Sequence, residues 1–197
     1  MPADQVLATA RKPRADAQRN RLKLLETAKA VFADKGPDVS LDEIARAAKV
    51  GIGTLYRHFP TRDALVVEVY RNETRQLAEA ATELAETRAP VEALREWLRL
   101  FVDHLATKRV MAEALDSMVG STSDLYAASG AQVTTAISML VDRAVANGDI
   151  RLLIEPLDLL RALFGVANVA AGAHPEESAK RLVDILIAGV RVPATES

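Results

Sequence analysis

Between Ser40 and Phe59 the chain reads SLDEIARAAKVGIGTLYRHF, two short helical stretches joined by a tight turn. Ser40 and Glu43 have the spacing of a capping box, in which each side chain satisfies a free backbone N–H at a helix start. Leu41, Ile44, Ala45 and Ala48 follow at helical spacing and give the first helix one apolar face. Gly51 and Gly53 are poor helix formers, costing about 0.8–1.0 kcal/mol each relative to Ala in a helix interior. A stretch that tolerates both is expected to bring its backbone close to something else. Leu55 and Phe59, four apart, face inward. Thr54, Tyr56, Arg57 and His58 are left outward or sideways, and all can donate hydrogen bonds to phosphates or bases. The pattern implies a helix-turn-helix with a phosphate-gripping end, and with it sequence-specific DNA binding.

Net charge is -2, which by itself argues against a nucleic-acid partner. Its distribution reverses that inference. Residues 11–62 hold twelve Lys or Arg against six Asp or Glu, whereas residues 63–197 hold thirteen against twenty. A basic N-terminal third on an acidic body is the footprint of a small DNA-reading head. Apolar content of 49% with 4% aromatics favours helices packed with Leu, Ala and Val. The absence of cysteine excludes disulfides and thiolate metal sites. No apolar run reaches the 18 or so residues of a membrane span, and no signal-peptide core is present, so no membrane partner and a cytoplasmic location are expected.

The rest of the chain reads as helices throughout, without strand alternation, about nine in all. Residues 1–17, with Arg11, Lys12 and Arg14 and no periodicity, are expected to form a flexible basic arm. A first helix near 18–35 turns Leu22, Leu24, Leu25, Ala28 and Phe32 to the core and stops at Gly36-Pro37. Thr61 caps a helix that continues to about Thr87, roughly 38 Å at 1.5 Å per residue. Further helices are expected over 91–107, 110–119, 123–146 with an interruption at Gly130, 156–171 and 176–191. Boundaries fall at 18–70 for the head and 71–197 for the body. The last two helices are apolar beyond one stripe and so need burial on two sides, the second most easily supplied by another subunit.

Residues 20 to about 70 resemble the DNA-binding domain of the TetR family of bacterial transcription regulators. Gly53-Thr-Leu-Tyr-Arg-His-Phe59, followed by Thr61-Arg-Asp-Ala-Leu65, carries the resemblance, with Leu24-Leu-Glu-Thr-Ala-Lys-Ala-Val-Phe-Ala-Asp-Lys-Gly36 as its first helix. The resemblance implies a three-helix head on a helical ligand-binding and dimerisation domain, paired through its last two helices in a four-helix bundle. It implies that Tyr56 and His58 grip phosphates, that Ile52, Gly53 and Thr54 approach base edges, and that Arg57 takes either role. Ser40, Lys49 and Gly51 complete the expected DNA set. Many relatives have Gly where Lys49 stands, and a left-handed conformation at a non-Gly residue costs roughly 1–2 kcal/mol. Thr61 and Arg62 are expected on the DNA backbone, since a helix start attracts phosphate and Arg adds a fork of donors. The expected dimer contacts are Leu160, Phe164, Leu182, Leu186 and Val190.

Enzymatic chemistry finds no support. His58, His104 and His174 are far apart, no metal-ligand spacing occurs, and no nucleophile elbow, phosphate loop or dinucleotide fingerprint is present. No catalytic residue, metal or cofactor is therefore expected. A pocket for a mainly apolar small-molecule effector of unknown identity is expected among Trp97, Phe101, His104, Met111, Met118, Tyr126, Phe164 and Asn168. Each of these residue types is at least as common in a plain core. Two readings follow. One is a homodimeric repressor, released by ligand from a palindromic double-stranded operator. The other is a helical small-molecule-binding protein or enzyme whose helix-turn-helix is purely structural.

Overall fold

The computed structural model describes residues 4–36, 38–116, 122–169 and 175–193, with side chains from residue 16 onward except those of Glu113, Thr122, Asn168, Val169 and Pro175. The described residues are all-α, as the sequence implies: α1 (Asp4–Lys35), α2 (Leu41–Ala47), α3 (Ile52–His58), α4 (Arg62–Thr87), α5 (Pro90–Asp116), α6 (Thr122–Ala146), α7 (Pro156–Val169) and α8 (Pro175–Val190). Outside helices, one isolated antiparallel bridge joins Ile150 to Arg191. Two compact units are present: Met1–Asn72 with Val110–Val119, and Glu73–Arg109 with Gly120–Ser197. The first, the head, therefore also takes in a piece of the region expected in the body.

Three helices differ from expectation. Helix α1 begins at Asp4, so the expected flexible arm is helical from that residue. Ala, Arg, Lys and Gln dominate this stretch and are strong helix formers, and extending a helix that is already anchored needs no new nucleus. The segments 91–107 and 110–119 form one continuous α5, because Lys108 and Arg109 between them are no helix breakers. Helix α6 runs through Gly130 without a break and ends at Ala146, closed two residues later by Gly148, whose φ is 77°. There Asp149 N–H donates to Ala144 O and Gly148 N–H to Val145 O, both at 3.0 Å, the paired bonds of a Schellman motif.

The head's core is built from Leu24, Leu25, Ala28 and Phe32 of α1, Ile44, Ala45 and Ala48 at α2, Leu55 and Phe59 at α3, and Leu65, Val66 and Val69 of α4. Leu22, expected inside, is 40% exposed, since Leu24 and Leu25 already open the α1 stripe that continues to Ala28 and Phe32. The body's core centres on Trp97. Its indole is fully buried, and Nε1–H donates to Leu77 O at 2.8 Å. Phe101 stacks on it at 6.0 Å between centroids, and His104 on Phe101 at 6.4 Å.

Helix α8 is fixed to α5 by a seam of ion pairs. Arg109 pairs with Glu176, Asp103 with Lys180, Arg99 and Arg95 with Asp184, and Glu92 with Arg191. The α8 members of this seam, Glu176, Lys180 and Asp184, occupy one flank, with Arg191 just past the helix end, and Ala179, Val183 and Ile187 are buried beside them. The hydrogen bond from Arg95 holds the Asp184 carboxyl below the usual aspartate range. Its contribution is thus present above the ordinary aspartate pKa and fades as pH falls through the lowered value. Each pair is partly exposed and contributes little alone.

Trp97→Phe should destabilise the body by about 1–3 kcal/mol, from the lost hydrogen bond and the volume left unfilled. Urea unfolding checks this, and a change under about 0.5 kcal/mol would show that the buried indole is not what organises this core.

Candidate nucleic-acid interface

The head presents α3 through two tight joints. At the first, α1 ends on Gly36, whose φ is 84° and whose N–H donates to Phe32 O at 2.9 Å. The following loop is held by Arg62, whose guanidinium donates to Asp38 O at 2.9 Å and also to Val39 O. Ser40 then caps α2, its Oγ accepting from Glu43 N–H at 3.2 Å. Only this half of the capping box is seen, because the Glu43 carboxylate is engaged by Lys35. A hydrogen bond from Lys35 lowers the Glu43 pKa and the same bond raises that of Lys35.

The second joint is the turn. Val50 N–H donates to Ala45 O and Lys49 N–H to Arg46 O, both at 3.0 Å, so α2 also closes on a Schellman motif. Lys49 occupies its left-handed position with φ 56°, and it is the one non-glycine with positive φ among the described residues. The turn thus keeps its geometry without glycine, and Lys49 bears the strain.

Helix α3 starts on Gly51 with no side-chain cap. Leu55 and Phe59 are fully buried, as expected. The Arg21 guanidinium lies 5.4 Å from the Phe59 ring centroid and pairs with Glu68, which also binds Arg71 at 2.9 Å. Burial opposes ionisation of Glu68, but hydrogen bonds from Arg71 and Arg21 outweigh it and its pKa is lowered. This cluster braces the foot of α3 between α1 and α4.

What remains outside is the expected set. Ser40, Lys49, Gly51, Ile52, Gly53, Tyr56, Arg57 and Thr61 are exposed, while Thr54, His58 and Arg62 are half-buried. Tyr56 is 49% exposed, which removes the reading of it as a core residue. A Cβ built on Gly51 or Gly53 would meet nothing within 4 Å, and neither has positive φ, so nothing inside the protein requires glycine there. Thr61 caps α4, its Oγ1 accepting from Ala64 N–H at 3.0 Å. Arg62 also has a role inside the head. One terminal nitrogen of its guanidinium ties the α1–α2 loop, a long-range bond to backbone carbonyls that no local pattern announces.

The body places its expected residues unevenly. Trp97, Phe101 and His104 form the stacked row inside the core, and Met111 is buried within the head unit. Tyr126 is half-buried beneath Lys108, whose Nζ stands 4.6 Å from its ring centroid and 5.9 Å from that of Phe164. Met118 and the Asn168 side chain lie outside what is described. A groove of about 400 Å³ opens instead between α4 and α6, walled by Ala78, Ala81, Thr82, Ala131, Thr135 and Met139, with none of the expected ligand residues.

Among the dimer candidates, Phe164 is 47% exposed, and Leu182, Leu186 and Val190 are partly buried against the core. Leu160 is 3% exposed within its own core, so it is unavailable to a partner. Ile185, 66% exposed, falls opposite the buried stripe of α8.

Lys49→Gly should leave the fold intact and shift stability upward by no more than about 1 kcal/mol, as relief of left-handed strain is partly offset by glycine's freedom in the unfolded chain. Thermal unfolding checks it, and a clear loss of stability would mean the Lys49 side chain holds the turn.

Residues 24–69 match the family described as bacterial regulatory proteins, tetR family, and residues 89–192 match the SbtR-like transcriptional regulator C-terminal domain. The chain is similar to the TetR transcriptional regulator SCO0520 from Streptomyces coelicolor, at 41% identity and a TM-score of 0.80 over 88% of this chain and 99% of that one. It is similar to a TetR transcription regulatory protein from Mycobacterium vanbaalenii at 33% identity and a TM-score of 0.75, over 91% and 99% of the two chains. It is also 35% identical over 74 residues to the HTH-type transcriptional regulator MT1294 of Mycobacterium tuberculosis, a match to 36% of this chain that spans 37% of that relative's length. The C-terminal match spans more than half of the chain and the N-terminal match lies on the helix-turn-helix. The chain belongs to the TetR family of transcription regulators.

Proposed function

We propose that the protein is a homodimeric repressor that binds a palindromic operator and releases it when a small molecule occupies the body. The observation that carries the DNA reading is the bare outer face of α3. Two glycines that no internal contact requires sit among exposed donors, as a backbone meant to approach a groove would have them. Tyr56 and His58 take phosphates, Ile52, Gly53 and Thr54 face base edges, and Ser40, Lys49, Gly51 and Thr61 flank them on the DNA side. Arg62 positions the α1–α2 loop. The protein acts by binding, without catalysis, and works where the chromosome is, in the cytoplasm. No helix among the described residues is long and apolar enough to cross a membrane.

Dimerisation is assigned to α7 and α8. On α8 the flank away from the ion-pair seam carries Leu182, Ile185, Leu186 and Gly189, an apolar strip suited to a twofold partner. For the effector, the groove between α4 and α6 is the better seat than the filled aromatic row around Trp97, and its walls favour an apolar molecule. Helices α4 and α5 each contribute residues to both units, and α4, which also walls the groove, is the element through which occupancy would reach the head.

Fluorescence anisotropy on duplexes from upstream of the protein's own gene tests the DNA reading. Tyr56→Phe should weaken binding about 2- to 12-fold on every bound duplex, the worth of one ordinary hydrogen bond. Arg62→Ala should lower stability while leaving the salt slope unchanged, whereas a slope reduced by about one would return Arg62 to the phosphate contacts. Equal affinity of Tyr56→Phe and the unaltered protein would sink the phosphate role.

Ile185→Asp should give monomers in sedimentation at micromolar concentration, because a charge facing an apolar partner is costly. An unaltered protein that sediments as a monomer would overturn the dimer and the palindromic geometry with it.

A further inference from the structure

Helix α3 turns 100° per residue, so its seven residues divide into faces that burial makes explicit. Leu55 and Phe59 mark the inner face. Gly53 and Arg57 fall directly opposite, on the line furthest from the core. Ile52 and Tyr56 lie on one flank, and Thr54 and His58 on the other. A helix seated in a major groove meets the base edges along its outermost line and with its first turn, here Ile52, Gly53 and Thr54, while the later flank residues, Tyr56 and His58, stand toward the phosphate walls.

Arg57 is not a loose surface cation. Its Nε–H donates to Gly53 O at 3.2 Å, one turn back along the same line. That bond draws the side chain toward the first turn of α3 and fixes the plane of the guanidinium. The terminal nitrogens make no hydrogen bond among the described residues, and the space above Gly53 is open. A planar fork of N–H donors, held on the central line with nothing in front of it, matches a pair of acceptors in one plane. In the major groove that pair is O6 and N7 of guanine. Phosphate oxygens lie to the sides, where Tyr56 and His58 stand.

Resting on the DNA-binding reading proposed above, we infer that Arg57 is a specificity-determining residue that reads one guanine in each half of the operator. The bond to Gly53 O acts as its positioning device, lowering the entropy lost when the fork engages.

The test is selection from a library of random duplexes by the full chain, followed by binding to the selected site. The unaltered protein should enrich sites with an invariant guanine at one position per half-site. Arg57→Gln should lose that preference alone, keep the others, and bind the selected duplex roughly 5- to 150-fold more weakly. Arg57→Lys keeps the charge without the fork and should also lose most of the preference. Replacing the selected guanine by 7-deazaguanine, which lacks N7, should weaken the unaltered protein and leave Arg57→Gln unaffected. If Arg57→Gln instead kept the guanine and weakened all duplexes alike, with the salt slope reduced by about one, Arg57 would be a phosphate contact and the inference would fall. Unchanged selection and affinity would also overturn it. Failure of the unaltered protein to enrich any sequence would remove the proposed function itself, and is distinguishable because it needs no variant.

Discussion

The left-handed residue at the α2–α3 turn is the constraint on which the head's function depends. Once Lys49 adopts φ 56°, the Schellman bonds from Lys49 and Val50 end α2, and α3 must leave in a new direction. That direction decides which side of a seven-residue helix meets the core. Leu55 and Phe59 fill it, and the opposite line is left for Gly53 and Arg57. A helix this short has little stability of its own. Its presentation is maintained by Phe59, the Arg21–Glu68–Arg71 cluster around it, and the Arg62 tie on the preceding loop. The strain of roughly 1–2 kcal/mol at Lys49 is small against what those contacts supply.

The body solves a different problem. Helix α8 has apolar residues on more than one side, and burial alone would let it roll. Charged residues on α5 recur from Glu92 to Arg109 and find opposite charges on α8 at Glu176, Lys180 and Asp184, and just past its end at Arg191. The pairs are partly exposed, so their value lies in rotation more than in energy. A rolled helix would set Lys180 and Asp184 against apolar neighbours, which is costly. With the rotation fixed, Leu182, Ile185, Leu186 and Gly189 have a defined direction.

The helix-turn-helix was legible because its information is local. Ser40 at a cap, Leu55 and Phe59 four apart, and glycines beside exposed donors all lie within twenty residues. What escaped was tertiary. At Arg62, nothing nearby in sequence reveals a bond to carbonyls twenty-three and twenty-four residues earlier. Trp97, Phe101 and His104 have the composition of a pocket wall, and only packing shows that they stack on one another. Leu160 and Ile185 both read as apolar positions on two-sided helices, and their order of exposure depends on how each helix is rolled. The helical start at Asp4 escaped for another reason: basic, Ala-rich sequence with a proline looks like a tail unless the helix behind it is already anchored.

The span of the ties has a consequence for how the chain assembles. Between α1 and α4 the ties of Arg21 to Glu68 and of Asn72 to Glu26 span 47 and 46 positions. The seam between α5 and α8 closes loops of 67 to 99 residues. Loop closure grows more costly with length, and contacts distant in sequence slow folding. On a ribosome the head has all of its α1–α4 ties available long before α8 emerges, and domains fold as units as they appear. A newly made chain therefore passes through a stage in which the reading helix is already shaped while Ala179, Val183 and Ile187 have yet to cover the body's core. During that interval the apolar residues of α5 and α7 are open to other chains. The concentration of chains at synthesis, more than the stability of the finished fold, then sets the risk of misassembly.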